Sequence, residues 1–320
     1  MRKSNQENSF NVSQPYEVWT VRIGDKSQIE QMGTKPKFWV FNDEGTEQFL
    51  FKYNRPNTGE DWSEKIAAEI AELIGLPHAI VELAQCEAER GVVSKDFTEM
   101  GAKGSLVHGN ELLVVIDSDY PSNQFRKVSQ HSIDNLVKAL SRKYIRLPDS
   151  HSFPSGIGNS VDLFLGYLML DAFVGNTDRH HENWGILFRT GESEGEFYTE
   201  LAPSFDHASS LGRELTEPRR EALLAGGGGQ STVAMYGRRA RSAIYLRTGD
   251  KEPLLTLDAF SRFSEYATNA RKIWLDILKG LSEDSLRECV ERVPPDILSR
   301  SSAEFVYQLL LFNRERLLNL

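Results

Sequence analysis

Gly175-Asn176-Thr177-Asp178-Arg179-His180-His181-Glu182-Asn183 is the stretch on which the reading of this chain turns. It follows an apolar run in which Val161, Phe164, Leu165, Leu168 and Ala172 recur at helical spacing, with Ser160 placed to cap the helix and Val174-Gly175 placed to end it. Asp178 precedes Asn183 by five positions. Beyond it, residues 184–188 and 197–201 read as a hairpin around the polar turn GESEGE, which delivers the chain to Ser204-Phe205-Asp206-His207. Two carboxylates and an amide can thus converge on one metal from the two ends of one hairpin.

The chain upstream reads as strands. Residues 16–23, 37–42 and 48–53 have strand composition and predict an antiparallel sheet, with Asp43-Glu44-Gly45 turning between the last two. Lys52 interrupts the otherwise apolar QFLFKY, either as an edge lysine that reaches water or as an ammonium aimed into a phosphate cleft. Gly33, in Met32-Gly33-Thr34-Lys35-Pro36-Lys37, allows an ordinary turn or a backbone that folds back over a phosphate. Trp62, Ile66, Ile70 and Leu73 then mark an amphipathic helix that Gly75-Leu76-Pro77 stops, and either Glu64 or Glu69 on it can meet Lys52. Residues 78–84 and 91–97 read as further strands. From 132–142 onward the reading is mainly helical, with helices at 257–281 and 302–318. Residues 211–247 look least structured, with Gly226 to Gly229 as a mobile linker and the arginines of GRRARS solvated.

Composition bounds the class. The 320 residues are 40% hydrophobic, enough for a sizeable core. Lys and Arg number 37 against 46 Asp and Glu, a net charge of -9 that is the wrong sign for a protein built to neutralise nucleic acid or anionic lipid. Two cysteines, Cys86 and Cys289, are too few for a disulfide framework and form no CxxC zinc pair. The polar first 15 residues read as a partly disordered lead-in without a secretory signal, and the most apolar window, 163–175, is too short to span a bilayer. A cytoplasmic protein with no membrane association is the expectation.

Phosphoryl transfer from ATP needs a cation on the triphosphate, hard oxygen ligands for magnesium, and a carboxylate beside the acceptor hydroxyl. Lys52 suits the first task, steadied by Glu64. Asn183 and Asp206 suit the second and Asp178 the third, and the D-x-x-x-x-N spacing is that of a kinase catalytic loop. A rival reading takes His180, His181 and His207 as ligands of a transition metal in a phosphohydrolase, which leaves Lys52 and Glu64 without a task. A third is a non-catalytic, kinase-like binding protein.

In MGTKPKFWV, FLFKYN, EKIAAEIAELIGLP, DAFVGNTDRHHENWGIL and SFDHASSLG, which together span roughly residues 30–212, the chain resembles the HipA-like kinases of the protein-kinase-like superfamily. The resemblance implies an α+β, bilobal fold: a small β-rich N-lobe at 16–110 with one key helix, and a larger, mainly helical C-lobe at 111–320. It implies that Gly33, Thr34, Lys35 and Lys37 cover and Lys52 binds the phosphates of ATP, that Glu64 in preference to Glu69 pairs with Lys52, that Asp178 is the base, and that Asn183 and Asp206 hold Mg2+. It implies a protein substrate with a Ser or Thr acceptor and a capacity for autophosphorylation, for which Thr34, Ser209, Ser210 and Ser242 are candidates. It also leaves room for an antitoxin-like or host-protein partner that the sequence does not specify. The acidic charge and lack of a DNA-binding motif argue against direct nucleic-acid binding. Phe205-Asp206-His207 stands where the wider superfamily has Asp-Phe-Gly, and no nucleotide-hinge residues can be picked out.

Overall fold

In the strand over residues 48–53, alternate side chains part company: Phe49 and Phe51 are buried on one face, while Lys52 points from the other. The computed structural model describes residues 14–22, 26–29, 36–42, 44–98, 104–191, 195–226 and 231–320. Its first sheet contains β1 (Val18–Val21), β2 (Lys26–Ile29), β3 (Lys37–Phe41), β4 (Gln48–Tyr53), β5 (Val81–Cys86) and β6 (Glu89–Lys95), in the order β1-β5-β6-β4-β3-β2. Phe38, Val40, Phe49, Phe51 and Val93 pack together on one face. Lys52 lies opposite Lys37 on β3 and Val92 on β6, and Val92 packs with Ala68 of α1 (Glu60–Leu73) on the other face.

β1 departs from the antiparallel expectation. It pairs in parallel with β5, Val18 opposite Leu83, and so starts the sheet at its far edge. Tyr16 just before it donates its hydroxyl to the Cys289 carbonyl at 3.2 Å and its amide to Arg292 at 2.8 Å. That anchor lies far along the chain, where no local pattern could announce it.

The second half opens with β7 (Gly104–His108), α2 (Gly109–Ile116), α3 (Ile133–Leu140) and β8 (Ile145–Arg146), then α4 (Ser160–Val174), β9 (Gly185–Thr190) and β10 (Phe197–Leu201). Its strands form a small sheet in the order β7-β9-β10-β8. Every residue of α4 except Asp162 is buried, the pattern of a helix that runs through a core and not along its surface. The cap is Asn159, not Ser160: its side-chain oxygen accepts from the amides of Val161 and Asp162 at 2.9 and 3.0 Å. Gly175 ends the helix at a φ of 69°, where a side chain would be strained.

Around α4 pack α7 (Thr256–Phe263), α8 (Thr268–Gly280) and α10 (Arg300–Leu318), following α5 (Glu217–Ala225) and α6 (Val233–Gly237), with α9 (Glu283–Glu291) between α8 and α10 in the chain. The helix expected over 257–281 is interrupted by a 3-10 turn at Ser264–Tyr266. The stretch 211–247 is more structured than its composition suggests. Arg220 there is buried, donates to the Ser302 hydroxyl and the Gly212 carbonyl, and lies over the Trp62 ring. Ser242 in the arginine cluster is also buried, whereas Arg241 is exposed. The linker expected at Gly226 to Gly229 lies, past Gly226, outside the described residues, as do Gly33, Thr34 and Lys35. Among the described residues no helix is long and apolar enough to cross a membrane.

Candidate active site

The loop between α4 and β9 is held from beneath by one buried ion pair. Arg179, fully buried, grips Asp171 of α4 with two donors at 2.8 and 2.7 Å. Its remaining donors reach the Asn183 carbonyl at 2.9 Å and the Ser204 hydroxyl at 2.9 Å. Ser204 in turn bonds His207 Nε2 at 2.7 Å, and burial holds that imidazole well below its ordinary pKa, so it stays neutral. One guanidinium therefore ties α4, the 176–183 loop and the 204–207 segment together.

Above this brace the loop is shaped by amides. Asn176 donates to Asp171 at 2.8 Å and accepts from the Asp178 amide at 3.1 Å. Asn183 donates its side-chain NH2 to the Asp178 carbonyl at 2.8 Å, so its oxygen is the end left for a cation. Burial raises the Asp178 carboxyl above its ordinary pKa, with nearby Asp206 adding to the shift and His180 opposing it.

Lys52 reaches across from the first sheet. Its ammonium lies 2.8 Å from Glu64 of α1 and 3.5 Å from Asp206. Burial alone would lower its pKa, but Asp206 and Glu64 outweigh burial and raise it. Glu69, the other glutamate open to the sequence reading, pairs with Lys65 at 2.6 Å. Asp206 sits at a φ of 58°, a left-handed conformation that aspartate tolerates better than most residues. Its side chain is 40% exposed, against 2% for Glu64, so of Lys52's two carboxylates it is the one open to a ligand.

α1 is fastened to the segment after Asp206. Ser63 donates to the Ser210 carbonyl at 2.8 Å, the Gly59 amide donates to the Arg213 carbonyl at 2.9 Å, and Arg213 pairs with Glu60. The Ser209 hydroxyl stands 3.5 Å from Asp178 Oδ2 and 3.3 Å from an Arg213 nitrogen.

These groups border two cavities. One, of about 430 Å³, runs between the sheets and is lined by Lys37, Trp39, Lys52, Phe97, Asn183 and Asp206, among others. The other, of about 360 Å³, lies on the α7 side. Asp178, His180 and Ser209 line both, so the carboxylate stands at their junction.

Each of the three histidines has a hydrogen-bond partner at one ring nitrogen. His180 Nδ1 accepts from the Glu182 amide at 3.1 Å, His181 Nδ1 bonds the Tyr120 hydroxyl at 2.6 Å, and His207 is bound to Ser204. Among the described residues no group of three or more His, Cys, Asp or Glu is placed to hold a metal. Magnesium asks less of the protein, one or two oxygens with phosphate and water completing its shell, and the Asn183–Asp206 donor set fits that demand.

Sequence reasoning missed Arg179, Arg213 and the residues of the cleft wall. Asp96-Phe97-Thr98, which leads out of β6, lines the first cavity, and Phe97 packs on Phe205 with ring centroids 5.5 Å apart. A lone Phe after a strand carries no signal of that role.

The model of the HipA-like C-terminal domain matches residues 29–293. Among solved structures the chain is similar to the Helicobacter pylori proinflammatory kinase CtkA, with a TM-score of 0.65 and 17% identity over 91% of this chain and 93% of that one. It is also similar to a chain of the Shewanella oneidensis MR-1 toxin–antitoxin complex of HipA, HipB and operator DNA, with a TM-score of 0.53 and 14% identity over 91% of this chain and 64% of that one. At these identities the likeness is one of fold, and the fold is the bilobal, kinase-like one. No curated protein sequence matches it.

Proposed function

For a chain that belongs to the family of the HipA-like C-terminal domain, we propose an ATP- and magnesium-dependent phosphotransferase that acts on a Ser or Thr hydroxyl of protein. The observation that carries this reading is the convergence of Lys52, Glu64 and Asp206 on one side of Asp178, with a second cavity opening on its other side. In this reading residues 16–110 form the nucleotide lobe and 111–320 the acceptor lobe, β7 being the piece of the first that pairs into the sheet of the second.

Lys52, held by Glu64, neutralises the phosphates, and Lys37 faces the same cleft. Asn183 and Asp206 would hold Mg2+, which would supply positive charge to offset that of the phosphates. Asp178 accepts the proton of the acceptor hydroxyl as that oxygen bonds the γ-phosphorus. The bond from the γ-phosphorus to the bridging oxygen then breaks, and ADP leaves. Burial of Asp178 makes it a stronger base than an ordinary carboxylate at neutral pH. Of the described candidates for autophosphorylation, Ser209 has its hydroxyl 3.5 Å from the base, whereas Ser210 and Ser242 are buried, at 1% and 4% exposed.

The test is transfer of labelled γ-phosphate from ATP to protein in the presence of magnesium. Asp178→Ala is expected to lower transfer by at least about 100-fold, the low end for loss of a general base, while nucleotide still binds. Lys52→Ala is expected to weaken nucleotide binding itself. Transfer that survives Asp178→Ala and Asp206→Ala together would sink the assignment.

A further inference from the structure

Asp178 is reached from two sides, and the side away from Lys52 is unlike the rest of this acidic chain. The cavity there is walled by Arg126-Lys127 from the loop after α2 and by Lys251 from the turn before α7. All three side chains are exposed, and among the described residues none of them makes an ion pair. Arg126 also faces the nucleotide cleft and is discounted for that reason, but Lys127 and Lys251 line the acceptor cavity alone. The single carboxylate at the far rim, Glu252, already has Arg241 at 3.9 Å. Lys127 is held at a φ of 59°, so the loop that presents it keeps a conformation a lysine avoids when free.

A second, independent feature lies in the wall. His181 is 1% exposed and lines this cavity, and its Nε2 has no partner. The Tyr120 hydroxyl occupies Nδ1 at 2.6 Å, which leaves Nε2 as a buried polar atom with no partner. A polar group entering the cavity would meet that need. The Ser209 hydroxyl beside Asp178 marks where an acceptor hydroxyl stands relative to the base.

We propose that this cavity is the acceptor groove and that it selects an acidic peptide, with Asp or Glu flanking the Ser or Thr to be phosphorylated. Lys127 and Lys251 receive the flanking carboxylates. The inference rests on the reading of Asp178 as the base and adds a substrate class to it. A nucleic-acid occupant is the less suitable one, since Phe125 is the one exposed aromatic ring on this cavity and stacking needs a series of them.

The test uses short fluorescent peptides that share one central Ser and differ only in flanking Asp/Glu, Ala or Lys. Their binding to the full chain is measured by anisotropy at low and high salt, with a single-stranded oligonucleotide as comparison. The acidic peptide is expected to bind about tenfold tighter than its Ala counterpart, a difference of about 1.4 kcal/mol, and to lose that margin at high salt. The double reversal Lys127→Glu with Lys251→Glu is expected to abolish the preference and to favour the Lys peptide. Because both lysines are exposed the variant keeps its fold, and nucleotide binding checks this. Equal binding of all peptides, a preference unmoved by the reversal, or tighter binding of the oligonucleotide overturns the inference. Phosphate transfer is followed in the same samples: transfer without charge preference overturns the groove alone, whereas acid-selective binding with no transfer upholds the groove and sinks the kinase reading.

Discussion

Arg179 carries a charge with none of its surface in water, and four of its hydrogen bonds end on three separate segments of chain. Removing one member of such a pair strands the other in a medium that cannot solvate it. Arg179→Ala is therefore expected to cost about 3–5 kcal/mol, read as a lower urea midpoint, and to abolish transfer although the residue touches neither proposed substrate. The site candidates that the sequence offered, Lys52, Asp178, Asn183 and Asp206, share a property: each is a polar group where local pattern calls for something else, or falls at a recognisable spacing. Arg179 and Arg213 have no such mark. Their meaning comes from partners elsewhere in the chain, such as Glu60 for Arg213, and no window of sequence holds both ends of that contact.

β4 and β6 show how a strand can set a side chain's position from behind. Gly91 lies opposite Tyr53, and a Cβ placed on it would come 2.1 Å from the Lys52 carbonyl. The backbone that carries Lys52 must move to admit even a methyl group. Gly91→Ala is thus expected to lower Tm and weaken ATP binding together, measured by thermal shift with and without nucleotide. A loss of Tm with unchanged affinity would show that the strand accommodates the change without moving its lysine. Elements with a strong period were legible in advance: α1, the β9–β10 hairpin and α10 lie within a few residues of expectation. β1's parallel pairing and α5 were not, because a four-residue strand carries no directional signal and α5 hides its buried positions, Arg220 and Leu223, among polar neighbours.

The molecule as a whole buries a neutral imidazole deep between its layers. His131 accepts from the Trp184 indole at 3.1 Å and, from Nδ1, donates to the Ala243 carbonyl at 3.0 Å. Burial lowers its pKa from 6.5 to about 3. Below pH 6.5 the unfolded chain therefore takes a proton that the folded chain refuses, so stability falls on acidification through that window and levels off near pH 3. The slope from this one group approaches about 1.4 kcal/mol per pH unit. His131→Gln is expected to be less stable at pH 7.5, through lost packing, yet to close part of that gap by pH 4.5 as the wild type declines faster. Parallel curves from thermal melts across that range would refute it.

The three fastenings between α1 and residues 209–213 bear on how this chain can be inhibited. A compound that works by levering the helix outward would have to break the Ser63, Gly59 and Arg213 links at once, and would spend most of its affinity doing so. A compound that fills the cavity lined by Trp39, Lys52 and Phe97 faces no such toll. Under the proposed function, pharmacology on this scaffold is steered toward rivals of the nucleotide, and toward charged peptidomimetics seated against Lys127 and Lys251.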